Sequence, residues 1–177
     1  MPDTEAVKSQ IRKAFANVEF PGDWCLRGSN EGEEPFLLEH EFKGKTDWRS
    51  LDPEFIDRAP GGFGSALSFF SDEAFRFYLP AYLIADIDGK LGRHDPVFHL
   101  THGLTDDGRG KRVNPRRYGE RTWFDEQGHK FAVFNGEQAC AIVSYLKLKR
   151  ETDEFQREAI DQALANYWSR RAEASAG

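Results

Sequence analysis

Cysteine is scarce. Cys25 and Cys140 are the only two in 177 residues, and neither belongs to a C-x-x-C pair. A disulfide framework is therefore not expected, and both read as reduced thiols of a cytoplasmic protein. Long hydrophobic runs are missing too. The longest, Phe77 to Ala85 counting Pro80, is nine residues, against the roughly 20 that a membrane helix needs. The opening MPDTEAVKSQ has no basic n-region and no apolar h-region, so no signal peptide is expected. Nucleophile and phosphate motifs are absent as well. There is no G-x-S-x-G, no G-x-x-x-x-G-K-[ST], and no G-x-G-x-x-G opening a helix after a strand. No internal repeat and no low-complexity segment interrupts the chain.

What is present is enough for a core. Apolar residues make up 39% and aromatics 14% of the chain, while 31% is charged and the mean hydropathy is -0.67. Those proportions describe a soluble globular protein rather than a disordered one. The length fits a single domain over 1–177, with its core at about 4–171. The net charge of -6 is unevenly placed: residues 1–60 carry 13 acids and 8 bases, and the remainder is nearly balanced. This argues against general nucleic-acid binding and is compatible with a basic protein partner.

The periodicity is helical almost throughout. Val7, Ile11, Ala14, Phe15 and Val18 share one face of a helix over 4–18 that Asp3 or Thr4 can cap and Pro21-Gly22 ends. EPFLLEHEFKGK suits a helix better than a strand, and Asp52-Pro53 is a helix-start signal. Ser71 is an N-cap with Phe70 and Phe75 at the staple positions and Asp72 and Glu73 in the first turn. That helix is expected from about 72 to about 86, kinked at Pro80. Asp95-Pro96 opens a short helix to about His102, and 103–120 reads as a loop. Residues 121–134, with rings on either side of Gln127-Gly128, read as a short hairpin. Asn135-Gly-Glu-Gln138 is a capping box opening a helix, and a last helix starts near Thr152 or Asp153. The fold class is mainly α, with about six helices.

Several polar clusters are candidate sites. Helical spacing over 95–102 puts Asp95, His99 and His102 at i, i+4 and i+7, where two imidazoles and a carboxylate suit a transition metal; His94 and Asp86 could add ligands. An amphipathic helix with a polar face has the same pattern, and no H-E-x-x-H signature is present. A calcium loop aligned on Gly89 would use Asp86, Asp88 and Asp95, but it puts Ile84, with no ligand oxygen, at position 1. The segment 109–121 gathers Arg109, Lys111, Arg112, Arg116, Arg117 and Arg121 near Tyr118 and Trp123, as an RNA or phosphate contact would. Asp106 and Asp107 dilute it, so a solvated loop is the simpler reading. Cys140, in an apolar helix, reads as a core residue, and Cys25, beside Trp24, as the more accessible thiol. Arg76, alone among rings, could line a cleft with Tyr78 and Tyr82.

Residues 66-ALSFFSDEAFRFYLPAYLIADID-88 resemble the central motif of a family of small uncharacterised bacterial proteins, L-S-F-L-S-P-E-A-F-R-Y-Y-L-P-A-Y-L. The resemblance extends to 97-VFHLT-101, to Phe131 through Tyr145 and upstream to Trp48. Asp72 departs from the motif, where Pro is common. The family is a domain of unknown function, so the resemblance implies a small helical domain and carries over no catalytic residue. Taken together, the sequence points to a non-enzymatic, cytoplasmic protein-binding module without a cofactor, with an immunity- or antitoxin-like partner protein as one form of it. A metal-dependent hydrolase using Asp95, His99 and His102, and an RNA or phosphate binder using 109–121, are the alternatives.

Overall fold

A computed structural model describes residues 3–61 and 64–175. Among them the structure is all-helical, and its only β features are two isolated antiparallel bridges, Arg27 with Phe70 and Arg112 with Thr122. No helix among these residues is long and apolar enough to cross a membrane. The chain divides into two compact units, residues 11–96 and residues 97–177 with 1–10. Helix α1 (Thr4–Ala14) runs across this division. Asp3 Oδ1 accepts from the Glu5 amide at 3.0 Å, and the expected apolar face is buried at Val7, Ile11 and Phe15.

The unit 11–96 holds α2 (Glu34–Phe42), α3 (Pro53–Arg58), α4 (Ala66–Phe69) and α5 (Asp72–Ile87), with 3-10 turns at Asp23–Cys25 and Trp48–Ser50. Helix α5 begins where Ser71 predicts it. The Ser71 hydroxyl accepts from the Ala74 amide at 3.1 Å and donates to the Cys25 carbonyl at 2.5 Å, so one side chain caps the helix and anchors a distant turn. The helix runs on through Pro80 to Ile87. Proline there removes the donor to the Arg76 carbonyl without ending the element, because the surrounding residues are buried and held by packing. Phe42, Phe70 and Tyr78 meet with ring centroids 5.0 Å apart in each pairing, and Phe77 adds a fourth ring 4.9 Å from Tyr78. The Tyr78 hydroxyl donates to the Lys45 carbonyl at 2.6 Å, which satisfies the polar end of a buried ring.

The second unit holds α6 (Pro96–Thr101), α7 (Asp106–Gly110), α8 (Pro115–Tyr118), α9 (Trp123–Phe131), α10 (Gly136–Thr152), α11 (Arg157–Ala163) and α12 (Ser169–Glu173), the last two joined by a π-helical turn over Leu164–Trp168. The hairpin expected at 121–134 is instead α9. The Thr122 hydroxyl accepts from the Asp125 amide at 3.2 Å while the Asp125 carboxylate accepts from the Thr122 amide at 3.0 Å, a capping box that fixes helical entry before Gln127-Gly128 can turn. Asn135 and Gln138 make the second, expected box. The final helix begins at Arg157 rather than near Thr152: α10 continues through Thr152, and Asp153 Oδ1 accepts from the Phe155 and Gln156 amides, holding a turn between them. Trp168 is the centre of this unit's core, 4.8 Å from Phe131 by ring centroid, and its indole donates to the Leu100 carbonyl at 2.7 Å. Arg171 donates to the carbonyls of Phe134 (2.7 Å) and Ala132 (3.3 Å).

More helices are present than the sequence suggests. Apart from α9, the additional ones are four or five residues long, fewer than two turns, which is too short for a 3.6-residue period to show.

Candidate functional site

Helix α2 is apolar on more than one side. Pro35, Leu38 and Phe42 are buried, while Phe36 and Leu37 stay 48% and 43% exposed. A nine-residue helix with a single core-facing stripe would have placed charge at both of those positions. Arg27 lies over the Phe36 ring, with its guanidinium carbon 4.4 Å from the centroid, and also pairs with Glu39 at 3.4 Å. Glu31, Glu33 and Glu34, all exposed, lead into the same helix.

Trp24 is 85% exposed on the 3-10 turn Asp23–Cys25. Its position is built. Asp23 Oδ1 accepts from the Gly44 amide at 2.9 Å, tying the turn to the chain just past α2. Gly22 has φ +101°, and a Cβ there would lie 2.6 Å from the Trp24 indole nitrogen, so only glycine lets the indole lie across it. Cys25 is half-buried, its sulfur 3.7 Å from the Ser71 hydroxyl and 3.9 Å from Glu73. Trp24, Phe36 and Leu37 are thus exposed on the unit that also carries the glutamates at 31, 33 and 34. The charge distribution agrees: residues 11–96 contain 16 acidic and 10 basic side chains, and residues 1–10 with 97–177 contain 14 of each.

The same unit holds a polar cluster that the sequence did not reveal. His94 is buried at 7% exposure, with Nδ1 3.0 Å from the Ser65 hydroxyl. Ser65 also caps α4, accepting from the Leu67 amide at 3.3 Å, so its hydroxyl proton is available to the imidazole. Burial lowers the His94 pKa, partly opposed by the Asp57 carboxylate nearby. Asp57 Oδ1 accepts from the amides of Gly92 (3.0 Å) and Arg93 (2.9 Å), which holds the loop carrying His94. The cluster is a loop anchor. Its one sequence signal is a histidine next to a helix start, which says nothing about Ser65.

The predicted metal face does not assemble. Asp95 is exposed and precedes α6, whose Pro96–Thr101 span is too short to hold the whole i, i+4, i+7 set. His102 stacks on Phe98 and meets Trp123, each with centroids 5.0 Å apart; although the residue is exposed, partial desolvation together with the Lys130 ammonium lowers its pKa. Among the described residues no three His, Cys, Asp or Glu side chains are grouped to hold a metal ion. Asp86 lies within α5 rather than in a calcium loop.

In the basic segment, backbone bonds from Val113 N to Arg121 O and from Trp123 N to Lys111 O, both 2.9 Å, close a loop that carries α8. Lys111 pairs with Asp107, Arg112 with Glu120 at 2.9 Å and Arg121 with Glu126 at 3.2 Å. Arg109 lies 4.5 Å over Phe124 and Arg117 5.3 Å over Tyr118, while Arg116 is exposed. At least three of the six cations are thus locally compensated. Tyr78 and Tyr82, which could have lined a cleft with Arg76, have no exposed surface, and the Arg76 Nε is buried. Burial raises both phenol pKa values. Cys140 is half-buried rather than core, with its sulfur 3.9 Å from the Ala172 carbonyl.

The chain belongs to DUF6714, a family of unknown function that it matches over residues 3–172. No curated protein and no solved structure matches it.

Proposed function

Since membership of that family brings no activity with it, we propose from the surface itself that the protein is a non-enzymatic binding module for a protein partner that presents a basic, partly apolar patch. The observation that carries this is the exposure of Trp24, Phe36 and Leu37 on the unit that holds the whole negative excess. Tryptophan and phenylalanine are the side chains that anchor interfaces, because each removes a large apolar area from water in one contact. The glutamates at 31, 33 and 34 would speed encounter with a basic surface and disfavour acidic ones.

The test is capture of a partner from the source cells, reconstitution of the purified pair, and affinity measurement with two variants. Phe36→Ala/Leu37→Ala should weaken binding at least ~10-fold, as loss of two anchors implies. Glu33→Lys/Glu34→Lys should slow association and flatten its salt dependence. A reconstituted complex indifferent to both variants would place the interface elsewhere and overturn the reading.

A further inference from the structure

We propose that residues 11–96 also contain a small-molecule site, a cleft that takes an apolar ligand bearing one carboxylate. This does not rest on the protein-binding reading, because none of the cleft's residues belongs to the Trp24, Phe36 and Leu37 surface.

The cleft measures about 310 Å³, at the lower end of the ~300–1,000 Å³ usual for ligand pockets. Its apolar floor is the Trp48 ring, Leu51, Ala81, Ile84 and Ala85. Ala81, Ile84 and Ala85 stand at i, i+3 and i+4 of α5 and so share one face. Phe75 and Tyr82 stand off that face, while Phe77 precedes Ala81 on it by one turn. Two alanines one turn apart leave side-chain volume unfilled beside Ile84, and the hollow follows.

The polar lining is almost all donors. Arg12 and Arg49 stand at the cleft, and guanidinium groups only donate. Arg49 is held in place: its Nη2 donates to the Ala16 carbonyl at 2.8 Å, and its guanidinium carbon lies 4.8 Å from the Trp48 ring centroid. The indole Nε1 of Trp48, a residue only 3% exposed, is buried with no hydrogen-bond partner. A buried donor left unpaired costs free energy. Asp88, exposed and one turn beyond Ile84, is the one acidic side chain among the lining residues. Two guanidinium groups, of which Arg49 also pairs with Asp47 at 3.5 Å, and one carboxylate line the cleft over an apolar floor that includes Trp48. The group that fits is an acceptor with negative charge on a ring or alkyl body, such as an arylalkanoic acid. Planar guanidinium groups bind carboxylates in two-point fashion, which sets that head group apart from a neutral hydroxyl.

The experiment uses the full chain, labelled with nitrogen-15, and follows the Trp48 indole N–H signal, identified by its loss in Trp48→Phe. Three probes are titrated: 4-phenylbutyrate, 4-phenyl-1-butanol and inorganic phosphate. Phenylbutyrate should shift the signal saturably with Kd of about 1 mM or tighter, and the alcohol and phosphate should bind at least ~10-fold more weakly. Ala81→Leu, which fills the hollow, and Arg12→Gln/Arg49→Gln, which removes the cations, should each weaken phenylbutyrate at least ~10-fold, while the remaining spectrum shows the fold intact. The proposal is overturned by no saturable shift, by equal binding of acid and alcohol, or by unchanged binding in Ala81→Leu.

Discussion

His94 shows how one buried side chain ties stability to pH. Its pKa is lowered in the folded chain, so between that value and the ordinary histidine value the unfolded chain binds more protons. Stability from this group is therefore complete above about pH 6.5 and is lost as pH falls through the folded-state pKa. Thermal unfolding between pH 7.5 and 5 should show a falling midpoint, and His94→Gln should flatten that part of the curve. An unchanged slope would mean that other groups govern it; His102, shifted the same way but exposed, is the first to check. The aromatic core gives a second prediction. Phe75 has no exposed surface, and Phe75→Ala should cost ~3–5 kcal/mol in chemical denaturation. Tyr78→Phe, which gives up only the bond to the Lys45 carbonyl, should cost about 0.5–1.5 kcal/mol. The burial of these rings was legible in the sequence, because an apolar run without a membrane's length has to be core. The partner of His94 was not, since Ser65 lies 29 residues away and reaches it only through folding.

Among the elements, helix starts were read well wherever their chemistry is local. Ser71, Asp52 and Asn135 cap as their side chains require. Thr122 uses the same device, but its reciprocal partner at the third position is Asp rather than Glu or Gln, and the rings around Gln127-Gly128 favoured a hairpin. Thr122→Ala should lower stability by ~1 kcal/mol and reduce the helical circular dichroism signal; an increase in strand signal instead would restore the hairpin. Helix α7 depends on a close approach that no local pattern reveals. A Cβ on Gly108 would lie 2.1 Å from the Gly103 carbonyl oxygen, a backbone atom that cannot swing aside. Gly108→Ala should therefore destabilise by at least 1–3 kcal/mol, roughly the cost of overpacking, measurable as a lower denaturation midpoint.

At the scale of the whole molecule, the sequence located the acidic excess in its first third, and the structure gives that excess an address. The net charge of -6 belongs to residues 11–96, and residues 1–10 with 97–177 are neutral in sum. Compensation within the neutral part is local: at least three of the cations of the 109–121 loop have carboxylate partners close by. Retention on a cation exchanger or heparin should be slight and should end by about 0.15 M salt, where the screening length is already near 8 Å. The candidate surfaces were far less legible than the helical class. No spacing in the sequence marks Trp24 and α2 as a binding face, because exposure of an apolar residue depends on which neighbours fail to cover it, and that is settled by the assembled chain.

The π turn at Leu164–Trp168 makes the last helix a device of phase. One extra residue is looped into an otherwise regular spiral, and everything after it is rotated by about 100° relative to an uninterrupted α-helix. At its end Trp168 donates to the Leu100 carbonyl, and past it Arg171, three residues on, donates to Phe134 and Ala132. Length and composition at this point matter less than residue count. Deleting exposed Ala165 should be harsher than replacing it with a bulky residue, because deletion would restore the ideal helix and turn Trp168 and Arg171 away from carbonyls they now satisfy. Between variants of this chain, an insertion or a loss of one residue here would act like a mistimed gear tooth, felt by every contact downstream of it.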